Sequence, residues 1–99
     1  MKKIEKPNFE LHFMIYNHDV FYHDDVNNIY YVRNNTREDS FYFNNKGQIH
    51  NENGFAHLFE GNKTYYLNNL RYNLKNFSRK TKHLICRICE DFCKQECFL

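Results

Sequence analysis

From residue 9 to residue 73 the apolar positions fall in short runs with a period near two, and from Leu74 onward they recur three and four residues apart. The first spacing puts alternate side chains on opposite faces of a strand; the second draws one apolar stripe along a helix. The chain is therefore expected to be α+β, an antiparallel sheet of short β-hairpins over 9–73 backed by one C-terminal α-helix over 74–97, in a single domain spanning 1–99.

The cleanest alternation is Phe9 to Tyr16, with Phe9, Leu11, Phe13 and Ile15 on one side, which predicts a strand. After a turn at Asn17-His18-Asp19, Val20 to His23 is expected to return beside it as the second strand of a hairpin. Ile29 to Arg33, Ser40 to Asn44 and a short Gln48 to Asn51 read as further strands. Two candidate hairpin turns then follow, Asn53-Gly54 and Gly61-Asn62. If Gly61 supplies the positive φ of a type II′ turn, Glu60 faces Lys63, Leu58 faces Tyr65 and Ala56 faces Leu67. One face then carries Ala56, Leu58, Tyr65 and Leu67, and the other Phe55, His57, Phe59, Thr64 and Tyr66. Both need cover, so the helix is expected to coat one while the other is coated or binds a partner.

In the C-terminal segment Leu74, Phe77, Leu84, Ile85, Ile88, Cys89, Phe92 and Cys93 form the stripe, and Asn73, Asn76 or Ser78 supplies the N-cap. Lys75, Arg79, Lys82 and Arg87 point the other way. Composition agrees with a β-rich body, because the 18% aromatic content is all Phe and Tyr, residues that favour strands. Asn occurs fifteen times, with pairs at 27-28, 34-35, 44-45 and 68-69 that read as turn punctuation.

The net charge of +2 is unevenly placed: residues 1–70 hold seven Lys/Arg against nine Asp/Glu, residues 71–87 six against none, and residues 88–99 one against three. The positive charge is one local patch. No apolar run suits a signal peptide or approaches the roughly 20 residues of a membrane helix, so a soluble protein of the (host) cytoplasm is expected. All four cysteines lie in the last fourteen residues, where they cannot staple the aromatic body, which favours reduced thiols.

Phe41-Tyr42-Phe43-Asn44-Asn45 returns 24 residues later as Tyr65-Tyr66-Leu67-Asn68-Asn69, and Tyr30 to Asn35 reads as a degenerate third copy. Gly47-Gln48-Ile49-His50-Asn51-Glu52-Asn53-Gly54-Phe55-Ala56, followed by Gly61 to Asn69, resembles the short hairpin repeat of bacteriophage and giant-virus proteins. That repeat runs Asn-Gly-Lys-x-His-Arg-x-x-Gly-Pro-Ala, then an aromatic pair and Asn-Gly, and is distantly similar to MORN-type repeats. Gly47, His50, Gly54, Ala56, Gly61, Tyr65, Tyr66 and Asn68 match; Phe55 replaces Pro, Asn45 and Asn69 replace Gly, and Asn51 replaces Arg. The resemblance covers about 30 residues. It implies a viral or mobile-element origin and a non-enzymatic β module, and it implies no ligand.

His83, Cys86, Cys89 and Cys93 have zinc-ligand spacing, with a further ligand such as His50 or His57 to come from the sheet. On a straight helix Cys86 and Cys97 would stand about 16 Å apart, too far to share one ion. The other readings of these thiols are small buried hydrophobes and a redox or disulfide role. No histidine has a nucleophile or carboxylate at catalytic spacing, His23-Asp24-Asp25 reads as turn chemistry, and no Gly-rich phosphate loop exists, so no catalysis and no other cofactor are expected.

The candidate partner surface is Phe55, His57, Phe59 and Tyr66 with Arg71, Lys75, Arg79, Lys80, Lys82 and Arg87, residue types that dominate binding energy. By analogy with the resemblance, the most concrete expectation is a phage-encoded inhibitor of the anti-CRISPR kind that blocks a host defence complex sterically. A nucleic-acid-binding module using 71–87 and a zinc-stapled adaptor are the alternatives, and homodimerisation through a sheet face is open.

Overall fold

The structure, a computed structural model, describes residues 1–36 and 38–81. It contains one seven-stranded sheet and two helices: β1 (Lys2–Ile4), α1 (Phe13–Tyr16), β2 (Val20–Asp24), β3 (Ile29–Arg33), β4 (Asp39–Phe43), β5 (His57–Phe59), β6 (Asn62–Leu67), β7 (Leu70–Tyr72) and α2 (Leu74–Thr81). The strands lie in the order β1-β2-β3-β4-β5-β6-β7 with every pair antiparallel, so each strand neighbours the next in sequence. The expected α+β class holds at that level, with most of the described chain in β structure. No helix among the described residues is long and apolar enough to cross a membrane.

The segment 9–16 is not a strand. The sheet edge is β1, before Pro7, and it takes the place beside β2 that segment 9–16 was expected to fill, with Ile4 opposite Phe21. Displaced from the sheet plane, the segment crosses over one sheet face and closes its own backbone bonds. His12 caps α1, its carbonyl accepting from Ile15 N–H at 2.9 Å and Tyr16 N–H at 3.2 Å. Phe9, Leu11, Met14 and Ile15 turn inward, whereas Phe13 is 76% exposed, so the two-residue period ends at the helix.

That segment covers the main core. Register places Phe21, Val32, Phe41 and Phe43 on one face, where they pack with Ile15, Ile49 and Ala56. Gly47 seats the cover. Its φ is +73°, and a Cβ there would meet the Glu10 carbonyl oxygen at 1.8 Å; Gly47 O in turn accepts from His12 N–H at 2.9 Å. On the opposite face Tyr65, Leu67 and Phe77 make a second cluster under α2. The helix is N-capped by Asn73, whose Oδ1 accepts from Asn76 N–H at 2.8 Å. Leu74 and Phe77 face inward and Lys75, Arg79 and Lys80 are exposed, as the three- and four-residue spacing predicts. The remainder of the predicted helix to 97 lies outside the described residues.

Between β4 and β6 runs one interrupted strand. Its first half is Ile49 to Asn51: Ile49 bridges Phe43, His50 N–H bonds Tyr42 O, and Asn51 N–H bonds Tyr66 O. Its second half is β5, opposite Asp39 to Phe41. The short strand expected at Gln48–Asn51 is reduced to that bridge, and Asn53-Gly54 is no hairpin turn but the tip of an excursion within the strand. Asn51, 8% exposed, ties the excursion shut by donating from Nδ2 to Phe55 O at 2.9 Å and accepting from Asn53 N–H, also at 2.9 Å. Where the strand resumes, Ala56 N–H bonds Thr64 O although Thr64 is already paired with His57. Two residues facing one is a β-bulge, and it turns Ala56 into the main core and away from the Leu58 side expected for it.

The β5–β6 turn is Glu60-Gly61, with φ of 49° and 84°, and Phe59 pairs Asn62 and Leu58 pairs Lys63. The expected Gly61-Asn62 turn is displaced by one residue because Glu60 N–H is held to Glu38 O at 2.9 Å. Pairing shifts by two positions, so Tyr65 and Leu67 keep the face assigned to them. Asn68-Asn69 makes a second turn with both φ positive, 50° and 69°.

Two substitutions should move stability in opposite directions. Gly47→Ala forces a side chain into the Glu10 backbone and is expected to cost at least about 3 kcal/mol. Glu60→Asn puts a residue tolerant of positive φ into the turn and should gain about 0.5–1 kcal/mol. Urea denaturation midpoints measure both, and equal midpoints for Gly47→Ala and the parent chain would refute the seating contact.

Candidate functional site

The predicted partner residues divide between the two faces. Register sets His57, Phe59 and Tyr66 on the main-core face, with Arg71 directly opposite Tyr66. Phe59 is 46% exposed, Arg71 is exposed, and Tyr66 is half-buried against the core. Phe55, expected beside them, is on the other face: its ring meets Tyr42 at 6.1 Å, Lys63 Nζ lies 5.5 Å over it, and it packs against the cluster beneath α2. The excursion carries it there. Phe55 ends a row of rings, Tyr22 to Tyr31 at 5.9 Å and Tyr31 to Tyr42 at 5.0 Å. Burial pushes the Tyr42 phenol above its ordinary pKa, and the neighbouring Tyr31 adds to the rise.

The cationic residues are brought to one end of the molecule. Arg71 stands on the last described strand, and Lys75, Arg79 and Lys80 on α2; no hydrogen bond or ion pair engages the side chain of any of the four among the described residues. Lys82, His83, Cys86, Arg87, Cys89 and Cys93 lie outside the described residues. Within those described, no group of three or more His, Cys, Asp or Glu is arranged to hold a metal ion.

Sequence spacing gave no sign of a part-buried polar cluster around Asp39. Asp39 accepts from two imidazoles at once, His18 Nε2 at 2.9 Å on one oxygen and His57 Nε2 at 2.7 Å on the other. His57 lies flat on Phe41, with centroids 3.9 Å apart and an interplanar angle of 4°, and His18 meets the same ring edge-on at 5.4 Å. The carboxylate sets both rings in the Nε2–H tautomer, and His18 Nδ1 is buried without a partner. Three side chains, from the loop after α1, from β4 and from β5, thereby clamp the cover segment to the sheet. Their separations of 21 and 18 residues fit no local motif.

Other histidines serve turns. His12 Nδ1 accepts from Met14 N–H at 3.1 Å, and burial holds its pKa below the ordinary histidine value. His50 Nδ1 accepts from Asn68 N–H at 3.0 Å, which leaves Nε2 facing Glu52 at 3.5 Å. In His23-Asp24-Asp25 the expected turn chemistry is present: Asp24 Oδ1 accepts from Val26 and Asn27 N–H, its Oδ2 accepts from Asn27 Nδ2 at 2.9 Å, and His23 Nδ1 lies 2.9 Å from Asp25. The Asn27 side-chain bond is the main cause of a lowered Asp24 pKa.

No protein-family model, curated protein or solved structure matches the chain.

Removing the shared acceptor tests the clamp: Asp39→Ala leaves two imidazole donors unpaired and should cost about 1–3 kcal/mol, with Asp39→Asn costing less because its amide oxygen still accepts from one ring. An unchanged denaturation midpoint in Asp39→Ala would discard it. His12 gives a pH test. Its folded-state pKa lies below the unfolded value of about 6.5, so its share of stability is full above that pH and is lost as pH falls through it toward the folded value. Asn at position 12 keeps an acceptor for Met14 N–H and does not titrate. Between about pH 7.5 and about pH 5.5 the parent chain should therefore lose more stability than His12→Asn, and parallel losses would contradict this.

Proposed function

We propose that this chain is a non-catalytic binding protein that acts by stoichiometric occupation of a protein partner. The observation that supports this best is the strip His57, Phe59, Tyr66 and Arg71 on one sheet face, with Lys75 and Arg79 on the helix that covers the other face next to β7, an exposed aromatic ring, and cationic side chains that nothing in the described chain neutralises. Aromatic and arginine side chains give large contact area and directed hydrogen bonds at an interface. Unneutralised cations favour a partner of opposite sign and speed its encounter.

The similarity to phage and giant-virus hairpin repeats supports the finer reading, a phage-encoded inhibitor of a host defence complex. The sign of the charge shapes that reading. A mimic of nucleic acid would be acidic, whereas this surface is basic and suits docking on an acidic protein face with steric occlusion of what lies beside it. Three exposed cations on one eight-residue helix favour nucleic-acid phosphates as the second reading.

Tagged protein exposed to host lysate, in parallel with the triple variant Arg71→Glu, Lys75→Glu, Arg79→Glu, separates the two. A defined protein partner captured at fixed stoichiometry and lost in the triple variant is expected. Failure to capture one, together with nucleic-acid retention that falls steeply between about 50 and 200 mM salt, would overturn the protein-partner reading for the other.

A further inference from the structure

Three of the four Asn pairs meet at one end of the sheet. The turns after β2, β4 and β6 carry Asn27-Asn28, Asn44-Asn45 and Asn68-Asn69, and the excursion adds Glu52 and Asn53 at the same end. Asn44 and Asn68 touch directly, Nδ2 to Oδ1 at 3.1 Å, so neighbouring turns are locked side by side. Two clefts open along this end. One, of about 200 Å³, is lined by Asn28, Asn45, His50, Glu52 and Asn53 among others; the second, of about 520 Å³, continues past His50, Glu52 and Asn53 to Leu70, Tyr72 and Lys80. Because they share three residues they form one trough. At about 4.8 Å per strand, the distance from the β2–β3 turn to the β6–β7 turn is roughly 19 Å.

Turn geometry does not account for all of this asparagine. Asn28, Asn68 and Asn69 occupy positive φ, a conformation that favours the residue, and Asn44 and Asn51 are bound into loop closures. Asn45 and Asn53 have neither reason. Their φ values are not positive, and their side-chain amides, like that of Asn28, make no hydrogen bond among the described residues. Each is an unused pair of donor and acceptor facing the trough. At the shared centre, His50 Nε2 and Glu52 Oε1 stand 3.5 Å apart, longer than an ordinary hydrogen bond, so both keep capacity for a ligand hydroxyl.

Charge narrows the ligand. Among the described residues the trough lining contains one carboxylate, Glu52, and one ammonium, Lys80, and is otherwise neutral. A phosphate chain would meet Glu52 with too few cations, and a strongly acidic or basic peptide would meet a like charge. Vicinal hydroxyls match carboxamides, which donate and accept side by side, and the Leu70 and Tyr72 end offers apolar surface to the C–H face of a sugar ring. We propose that the turn end of the sheet is a binding trough for a neutral oligosaccharide. The trough meets the basic surface only at Lys80; Arg71, Lys75 and Arg79, the residues reversed in the partner test, do not line it.

The test is a ¹⁵N–¹H titration of the full chain with neutral hexasaccharides of glucose (α1,4 and β1,4), mannose, galactose and N-acetylglucosamine, and with a sulfated hexasaccharide as the anionic arm. Saturable shifts at Asn45, Glu52 and Asn53 with at least one neutral probe are expected. The double variant Asn45→Ala, Asn53→Ala should weaken that binding at least tenfold with an unchanged melting temperature, since neither amide supports the fold. The proposal is overturned by no saturable shift with any neutral probe up to about 10 mM, a level that fills most of a 1 mM site. Equal affinity in the double variant, or binding of the sulfated probe alone at α2, overturns it as well.

Discussion

The close approach of Gly47 to the backbone of Glu10 and Leu11 is the contact on which the described structure turns. A single-layer sheet with aromatic residues on both faces cannot stand uncovered in water, and each face must find its own lid. α2 supplies one. The other is segment 9–16, which can lie close enough to bury Ile15 against Phe21, Phe41 and Phe43 only because position 47 has no side chain. The His12 N–H bond to Gly47 O and the two imidazoles on Asp39 fasten the same segment at its beginning and its end.

The interrupted strand between β4 and β6 does for the surfaces what Gly47 does for the core. By leaving the sheet after Asn51 and returning at Ala56, the chain sends Phe55 to one face and His57 to the other, and raises Glu52 and Asn53 at the turn end. A continuous strand through the same residues would have put Phe55 and His57 on a common face, as their odd numbering suggests. The buried carboxamide of Asn51 is what closes the departure, and its bonds go to the excursion's own backbone.

The parts of this architecture legible in the sequence were those decided locally. β2, β3, β4 and β6 announced themselves through aromatic and β-branched runs, α2 through its apolar spacing and Asn73, and Asp24 through its position before a turn. The parts that were hidden depend on partners far away in the chain. Phe9 to Tyr16 alternates as well as any strand, but alternation cannot reveal that Lys2 to Ile4 holds the sheet edge first. Asn53-Gly54 has the composition of a hairpin turn, but Asn51 and the partner bonds of Tyr42 and Tyr66 decide what it becomes. The Asp39 clamp joins positions 18, 39 and 57, which only the folded sheet brings together, so no spacing rule finds it.

Every described strand pairs with its neighbour in sequence, and apart from the long β1–β2 and β4–β5 connections the pairs are closed by short turns. The cover is different: Gly47 meets residues 10 to 12 across more than thirty positions, and His18 meets Asp39 across 21. The entropy of long-range closure is thus concentrated in one lid and not spread through the β-structure. The bonds that tie residues 9–18 to the distant parts of the sheet then cluster at two places, Gly47 and Asp39.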